Sequence, residues 1–228
     1  MIVGNGLIAT AFRGHDFENS PNIVIYASGV SNSKEVRNEA FLREKAMLVD
    51  AVASEKFICY FSTCSINDPE MQGAPYVVHK KQMEALVGSA KNYAIFRLPQ
   101  VVGKTPNPHT LTNYIHNKIM RGERFHVWKH ARRNLIDVDD VALIVSYLMH
   151  GGCVDKKTIN VASPFFISIA ALVGVFELVL GKKGHYNLVD AGGAYPIDIG
   201  LTSSVASQAG VKFDDQYIEN LIRKYYGN

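Results

Sequence analysis

The sequence predicts an α/β fold with a parallel sheet covered on both faces, and three observations predict it. Short apolar runs recur at Met1–Val3, Ile23–Tyr26, Phe57–Phe61 and Tyr93–Arg97, as in strands buried on both sides. Helical segments separate them, as parallel strands require. A glycine-containing turn, Gly4-Asn5-Gly6, joins the first strand to the first helix.

The first helix runs from that turn through Phe12. Ile23–Tyr26 is the second strand, ending at Ala27-Ser28-Gly29. Glu35–Ala53, rich in charge and alanine, is the second helix. Phe57–Phe61 is the third strand and stops at Ser62-Thr63. After a Pro/Gly-containing loop, Pro75 opens a helix that runs to about Ser89, since proline suits a first helical position. Tyr93–Arg97 is the fourth strand. From Gly103 the composition changes: Lys104–Pro108 is a loop and Leu111–Met120 a helix. Asn134–Val138 is strand-like. Asp139 or Asp140 caps a helix over Val141–Met149, Ile159–Val161 is a short strand, and Asp214–Tyr226 is helical.

At 228 residues, 47% hydrophobic and 20% charged, the chain suits one sizeable domain or a domain with a small lobe. A net charge of +3 without any dense Lys/Arg run is too weak to argue for nucleic acid, and no nucleic-acid partner is expected. The cluster Lys129–Arg133 suits a small anion instead. Three scattered cysteines, Cys59, Cys64 and Cys153, predict neither a disulfide framework nor zinc, and place the chain in the cytoplasm. The start carries no basic leader, so no signal peptide is expected. Phe165–Leu180 is too short for a bilayer span and contains Glu177, so it is read as a buried amphipathic helix, capped by Ser168 and closed by Gly181. No membrane insertion is expected.

Chemistry concentrates in two places. Gly4-x-Gly6-x-x-Ala9 follows a strand and opens a helix, which lets backbone amides approach a pyrophosphate. Tyr76 and Lys80 lie four residues apart, on one face of a helix. An ammonium beside a phenol is expected to favour the phenolate and lower its pKa toward neutrality. Ser62 and Thr63, fourteen and thirteen residues before Tyr76, add a hydroxyl at a strand end. Together these groups can move a proton at an alcohol or carbonyl oxygen while a hydride moves at carbon. His79 is read as structural or solvent-facing, and Cys64 as a small buried thiol. Asp137, Asp139 and Asp140 lack a ligand-spaced partner, so no metal is expected. No acidic residue sits at a strand end about twenty residues after the glycines; Asp16 and Glu18 come too early, and Arg13 could instead meet a 2′-phosphate. NAD and NADP stay equally open.

In family order, the pieces Gly4-x-Gly6-x-x-Ala9, Ile25–Gly29, Phe61-Ser62-Thr63, Pro75-Tyr76-x-x-x-Lys80, Arg97–Gly103 and Arg133–Ala142 resemble the extended branch of the short-chain dehydrogenase/reductase superfamily, the nucleotide-sugar epimerase/dehydratase group. Leu201–Val211 resembles its closing segment. The resemblance implies a Rossmann-type doubly wound parallel sheet with a small C-terminal substrate-binding lobe. The cofactor domain would span 1–103 and about 134–163, and the lobe about 104–133 and 164–228. It implies Tyr76 as acid/base, Lys80 on the nicotinamide ribose, and Thr63 on the substrate oxygen with Ser62 as its alternate. Gly4, Asn5, Gly6, Leu7, Ile8, Ala27, Ser28, Gly29, Pro99 and Val101, with Gln100 between, would line an NADP or NAD site. Thr63, Cys64, Arg133, Asn107 and Asn113 would meet a nucleotide sugar, Arg133 by clamping its diphosphate; Trp128 is a weaker candidate. A homodimer through the helices carrying Tyr76 and Glu35–Ala53 follows by the same analogy.

Three departures shape the expected activity. The glycine turn is one residue shorter than the family spacing. Ile23–Gly29 already resembles the family's fourth strand, so the strand-helix-strand piece on the adenosine side is shortened or absent. Cys64-Ser65 stand where dehydratases carry Asp-Glu, which argues against dehydration. The resulting expectation is an NAD(P)-dependent reductase of a nucleotide-diphosphate-linked keto sugar, a 4-keto-6-deoxyhexose of surface polysaccharide synthesis. A nucleotide-sugar 4-epimerase and a non-catalytic binding module are the alternatives.

Overall fold

The structure, a computed structural model, describes residues 1–152 and 154–227, so the thiol of Cys153 lies outside the described residues. In chain order the first elements are β1 (Ile2–Val3), α1 (Leu7–Ala11), β2 (Ile23–Tyr26), α2 (Asn38–Ala53), β3 (Phe57–Thr63), α3 (Pro75–Val87) and β4 (Tyr93–Leu98). Two short 3₁₀ turns, Cys64–Asn67 and Pro69–Met71, separate β3 from α3. There follow β5 (Gln100–Val102), α4 (Leu111–Arg121), β6 (Phe125–Trp128), β7 (Arg132–Asp137), α5 (Val138–His150) and β8 (Lys157–Asn160). The last are β9 (Phe166–Ser168), α6 (Ile169–Leu180), β10 (Tyr186–Val189), α7 (Gly200–Val205) and α8 (Tyr217–Tyr226).

The main sheet has the order β1-β2-β3-β4-β8, every neighbouring pair parallel. Its central strand explains the long apolar runs. Along β3, Ile58 and Tyr60 pack with Leu48 of α2 and Met83 of α3, while Cys59 and Phe61 pack with Val141 and Val145 of α5. Both faces are therefore core, and each such large apolar side chain contributes about 1.5–3 kcal/mol on burial. At one end the sheet stops: β1 pairs only Ile2 and Val3, with Ile25 and Tyr26. A second core, built from Ile115 and Ile119 of α4, Phe125 and Val127 of β6, Leu172 and Phe176 of α6, and Leu221 and Ile222 of α8, joins these elements to one another.

Several boundaries differ from the sequence reading. Helix α2 starts at Asn38 rather than Glu35, because the Glu35 carboxylate accepts the amides of Val36 and Arg37 and the Arg37 guanidinium, leaving Arg37 extended. Asp137, not Asp139 or Asp140, caps α5, accepting the Asp139 amide at 3.0 Å. Helix α6 begins at Ile169, since Phe166–Ser168 pair with β7; Ser168 caps it and Gly181 closes it at φ 63°. Strands β5, β6 and β10 were not anticipated, whereas α7 falls at the start of the segment Leu201–Val211 that the resemblance had marked. Among the described residues no helix is long and apolar enough to cross a membrane.

Candidate active site

A cleft of about 430 Å³ opens at the carboxyl ends of the main-sheet strands. Asn5, Gly6, Leu7 and Ile8 line it from the β1–α1 turn, Ala27, Ser28 and Gly29 from the end of β2, and Ser62 and Thr63 from the end of β3. Tyr76 and Lys80 enter from α3, Pro99, Gln100 and Val101 from the segment after β4, and Asn107 from the following loop. The turn is tight for a defined reason. Gly4 has φ 125°, and a Cβ there would stand 2.5 Å from the Ala27 carbonyl oxygen. Gly4 itself thus fits β1 against the end of β2. Gly6, with nothing within 4 Å of an added Cβ, leaves open space at the cleft.

Helix α3 buries the stripe Tyr76, Val77, His79, Lys80, Met83 and Val87. Lys80 is only 3% exposed, and its Nζ donates to Glu44 Oε1 at 2.8 Å and to the Tyr60 hydroxyl at 3.1 Å. Glu44 Oε1 also accepts from the Tyr60 hydroxyl at 2.8 Å. The other oxygen, Oε2, accepts the Val30 amide at 2.7 Å and lies 3.0 Å from His79 Nε2. Burial alone would raise the Glu44 pKa, but His79, the Lys80 ammonium and the Val30 amide outweigh it and hold the carboxyl at about 2. His79 is therefore buried against Glu44, not solvent-facing.

The expected neutral-range phenol is not what the geometry gives. Burial is the largest influence on Tyr76 and raises its pKa; the Lys80 ammonium and the Thr63 hydroxyl act the other way, and the Glu44 carboxylate adds to the rise. Desolvation disfavours the phenolate more than a carboxylate-paired ammonium favours it. Thr63 Oγ1 accepts the Ser65 amide at 3.1 Å and keeps its own proton to donate. Ser62 Oγ is buried without a hydrogen-bond partner, a costly state for a hydroxyl facing no ligand.

Other anticipated residues stand elsewhere. Cys64 is fully buried, its Sγ donates to the Arg97 carbonyl at 3.4 Å, and burial pushes its pKa up to about 12. Arg133 points its Nη1 at the carbonyls of Arg132 and Gly193, at 2.8 and 3.1 Å, instead of into the cleft. Asn113 spends its amide on the carbonyls of Thr105 and Asn107 and accepts from the Tyr226 hydroxyl, so it clamps the loop rather than lining the cavity. Trp128 is exposed on β6. Arg13 and Glu18 border a separate hollow along the β1 edge with Met1. The sequence reading missed Arg43 and His109, which line the cleft, and Glu44. Glu44 had a signal: Phe41, Glu44, Leu48 and Ala51 fall on one helical stripe, where a carboxylate is out of place without a partner.

The family model for the NAD dependent epimerase/dehydratase family matches residues 17–162. No curated protein matches the sequence. Solved structures of similar fold include UDP-glucuronic acid 4-epimerase from Bacillus cereus in complex with UDP-glucuronic acid and NAD, with TM-score 0.72, 15% identity, and coverage of 90% of this chain and 74% of that one. UDP-N-acetylglucosamine 4-epimerase from Methanobrevibacter ruminantium gives TM-score 0.66 and 16% identity over 89% of this chain and 74% of that one. UDP-glucose 4-epimerase from Thermotoga maritima gives TM-score 0.65 and 16% identity over 88% and 75%.

Proposed function

Because the chain belongs to the NAD dependent epimerase/dehydratase family, whose members are oxidoreductase-type enzymes, we propose that it is an NAD(P)-dependent reductase of a nucleotide-diphosphate-linked keto sugar. A 4-keto-6-deoxyhexose made for surface polysaccharide in the cytoplasm suits it. The observation that carries this reading is the convergence of Tyr76, Lys80, Ser62 and Thr63 on the same cleft as the glycine turn. A dinucleotide suits the residues present: Gly6 leaves room for backbone approach, and the buried Ser62 hydroxyl waits for a partner. Asn5 to Ile8 would hold its pyrophosphate, Ala27 to Gly29 and Pro99 to Val101 its middle, and Lys80 its ribose. When bound, the nicotinamide supplies a hydride to the carbonyl carbon.

The side chains do the rest. Tyr76 gives its proton to the sugar oxygen as the carbonyl becomes an alcohol, and a raised phenol pKa keeps that proton in place at neutral pH. Thr63 donates a hydrogen bond to the same oxygen. Two of the three Lys80 N–H groups are engaged by Glu44 and Tyr60, leaving one for a ribose hydroxyl. Cys64, Arg133 and Asn113 have no part in this reading, and Asn107 remains its substrate contact. Residues 1–103 with 134–163 would serve the cofactor, and 104–133 with 164–228 the sugar. A homodimer through α2 and α3 belongs to the reading; Leu42, Val49 and Val78 stand exposed on those helices.

A 4-epimerase is the second reading, favoured by the similar structures, which are UDP-sugar 4-epimerases. The deciding experiment supplies NADH or NADPH with a UDP- or dTDP-linked 4-keto-6-deoxyhexose. Stoichiometric oxidation of the cofactor is expected. Interconversion of UDP-glucose and UDP-galactose with no net cofactor consumed would reverse the order. Turnover that survives Tyr76→Phe unchanged would remove both.

A further inference from the structure

Among the described residues Glu44 is the acidic side chain with no exposed surface at all, and the reaction above gives it no task. Its two oxygens do different work. Oε2 takes the Val30 amide and His79, which ties α2 to the segment after β2 and to α3; that is ordinary fold construction. Oε1 takes Lys80 Nζ and the Tyr60 hydroxyl, and that hydroxyl in turn lies 3.1 Å from Lys80 Nζ. The three groups close a ring on the ammonium. Gly29 makes space for it: a Cβ there would fall 2.6 Å from Lys80 Nζ and 3.1 Å from Glu44 Oε1. A lysine has a long flexible stem, and a buried ammonium without a counter-ion is costly. Nothing else within this ring carries a negative charge to hold it.

We infer that Glu44 is a positioning residue: through Oε1 it fixes the Lys80 ammonium at the floor of the cleft, with one N–H left free, so that cofactor binding and proton delivery by Tyr76 depend on it. The inference rests on the hydride-transfer reading and adds to it a residue on a different helix. It differs from a merely structural ion pair in one respect. Its effect must pass through Lys80.

A double-mutant cycle tests this on the full chain, with NADH as the probe and melting temperature recorded for every variant. Glu44→Gln is expected to weaken NADH binding and slow keto-sugar reduction by about tenfold or more, since a misplaced binding group costs on this order. In a Lys80→Met background the same change is expected to cost nothing further in binding or rate. His79→Gln, which relieves only Oε2, should lower the melting temperature yet leave the NADH dissociation constant within about threefold. Parent-like NADH binding in Glu44→Gln, or independent multiplying losses from Glu44→Gln and Lys80→Met, overturns the inference. If Glu44→Gln does not fold, Tyr60→Phe removes the hydroxyl shared by the pair; binding about threefold weaker, abolished without Lys80, is expected, and unchanged binding overturns it. The two readings fail separately. Tyr76→Phe with full turnover, or a parent protein that binds neither NADH nor NADPH, defeats hydride transfer and this inference with it; an inactive Tyr76→Phe with multiplying Glu44 and Lys80 losses defeats this inference alone.

Discussion

The two ends of the cleft are built to different standards. At the Tyr76 end, β3, α2 and α3 close around a buried ring of Lys80, Glu44 and Tyr60, with hydrogen bonds between 2.8 and 3.1 Å. At the glycine end the sheet stops at β1, two residues long, with no strand beyond it among the described residues. Groups that must act on a proton need fixed geometry, and fixed geometry comes from packing on all sides. Groups that only hold a ligand can be supplied by backbone at a turn. In the proposed reading, the more tightly packed end is the one that acts on the proton, and the end at β1 is the one that would hold the adenosine.

The most severe way to break the contrast is at the phenol. Tyr76→Phe should lower reductase turnover by about 100- to 10,000-fold while the melting temperature stays near that of the parent, because only the hydroxyl is lost. Initial rates of NADH oxidation and a thermal melt check it. The parent phenol should titrate above the ordinary tyrosine range in the ligand-free protein, since burial dominates its environment. Ultraviolet difference titration against Tyr76→Phe reads this directly.

Acid offers the next largest effect. Glu44 has a folded-state pKa of about 2, below the ordinary 4.5. A depressed folded pKa contributes stability that is complete above the unfolded value and is lost as pH falls through the window from about 4.5 to 2. The shift corresponds to about 3 kcal/mol, shared with its partners. Glu44→Gln should therefore flatten the fall in stability with acid over that window, measured by urea unfolding at each pH. A parallel fall in parent and variant would count against Glu44 as the titrating group.

How far the sequence reaches follows the same division. The central strands β2, β3 and β4 were legible because both of their faces are core, so their runs are almost wholly apolar. The Tyr76–Lys80 pairing was legible because helical spacing alone brings them together. What Lys80 touches was not, because Glu44 comes from α2, 36 residues away, and its partners are fixed only by packing. The pair β6–β10 was invisible for a related reason. Each strand is four residues long, β10 is largely exposed, and the two meet in parallel register from Phe125 with Tyr186 to Trp128 with Val189, a pairing no local pattern encodes. Arg133 was legible only in part: a resemblance located the residue, but not that its Nη1 donates to the carbonyl of Gly193, far along the chain.

The glycine end can be probed without touching the chemistry. Gly4→Ala places a Cβ 2.5 Å from the Ala27 carbonyl at a φ of 125°, so it should cost about 1–3 kcal/mol of stability. Gly6→Ala has open space around it and should cost less than about 1 kcal/mol, yet it should weaken NADH binding, because the new methyl stands where backbone and ligand approach. Thermal melts with and without NADH separate the two: Gly4→Ala lowers both curves together, and Gly6→Ala shrinks the shift that NADH produces.

The smallest effect sharpens the comparison most. With the sheet ending at β1 among the described residues, an adenosine in the proposed reading would have the turn at Asn5 to Ile8 beside it but no further strand to lie against. In the proposed reading the nicotinamide half would meet Tyr76 and Lys80. Reduced nicotinamide mononucleotide should then bind within about tenfold of NADH, a difference of about 1.4 kcal/mol at most. Calorimetric titration of both ligands gives the ratio. A loss of a thousandfold on removing the adenylate would mean that the β1 edge is a real adenosine site, and the two ends of the cleft would have to be regarded as equals.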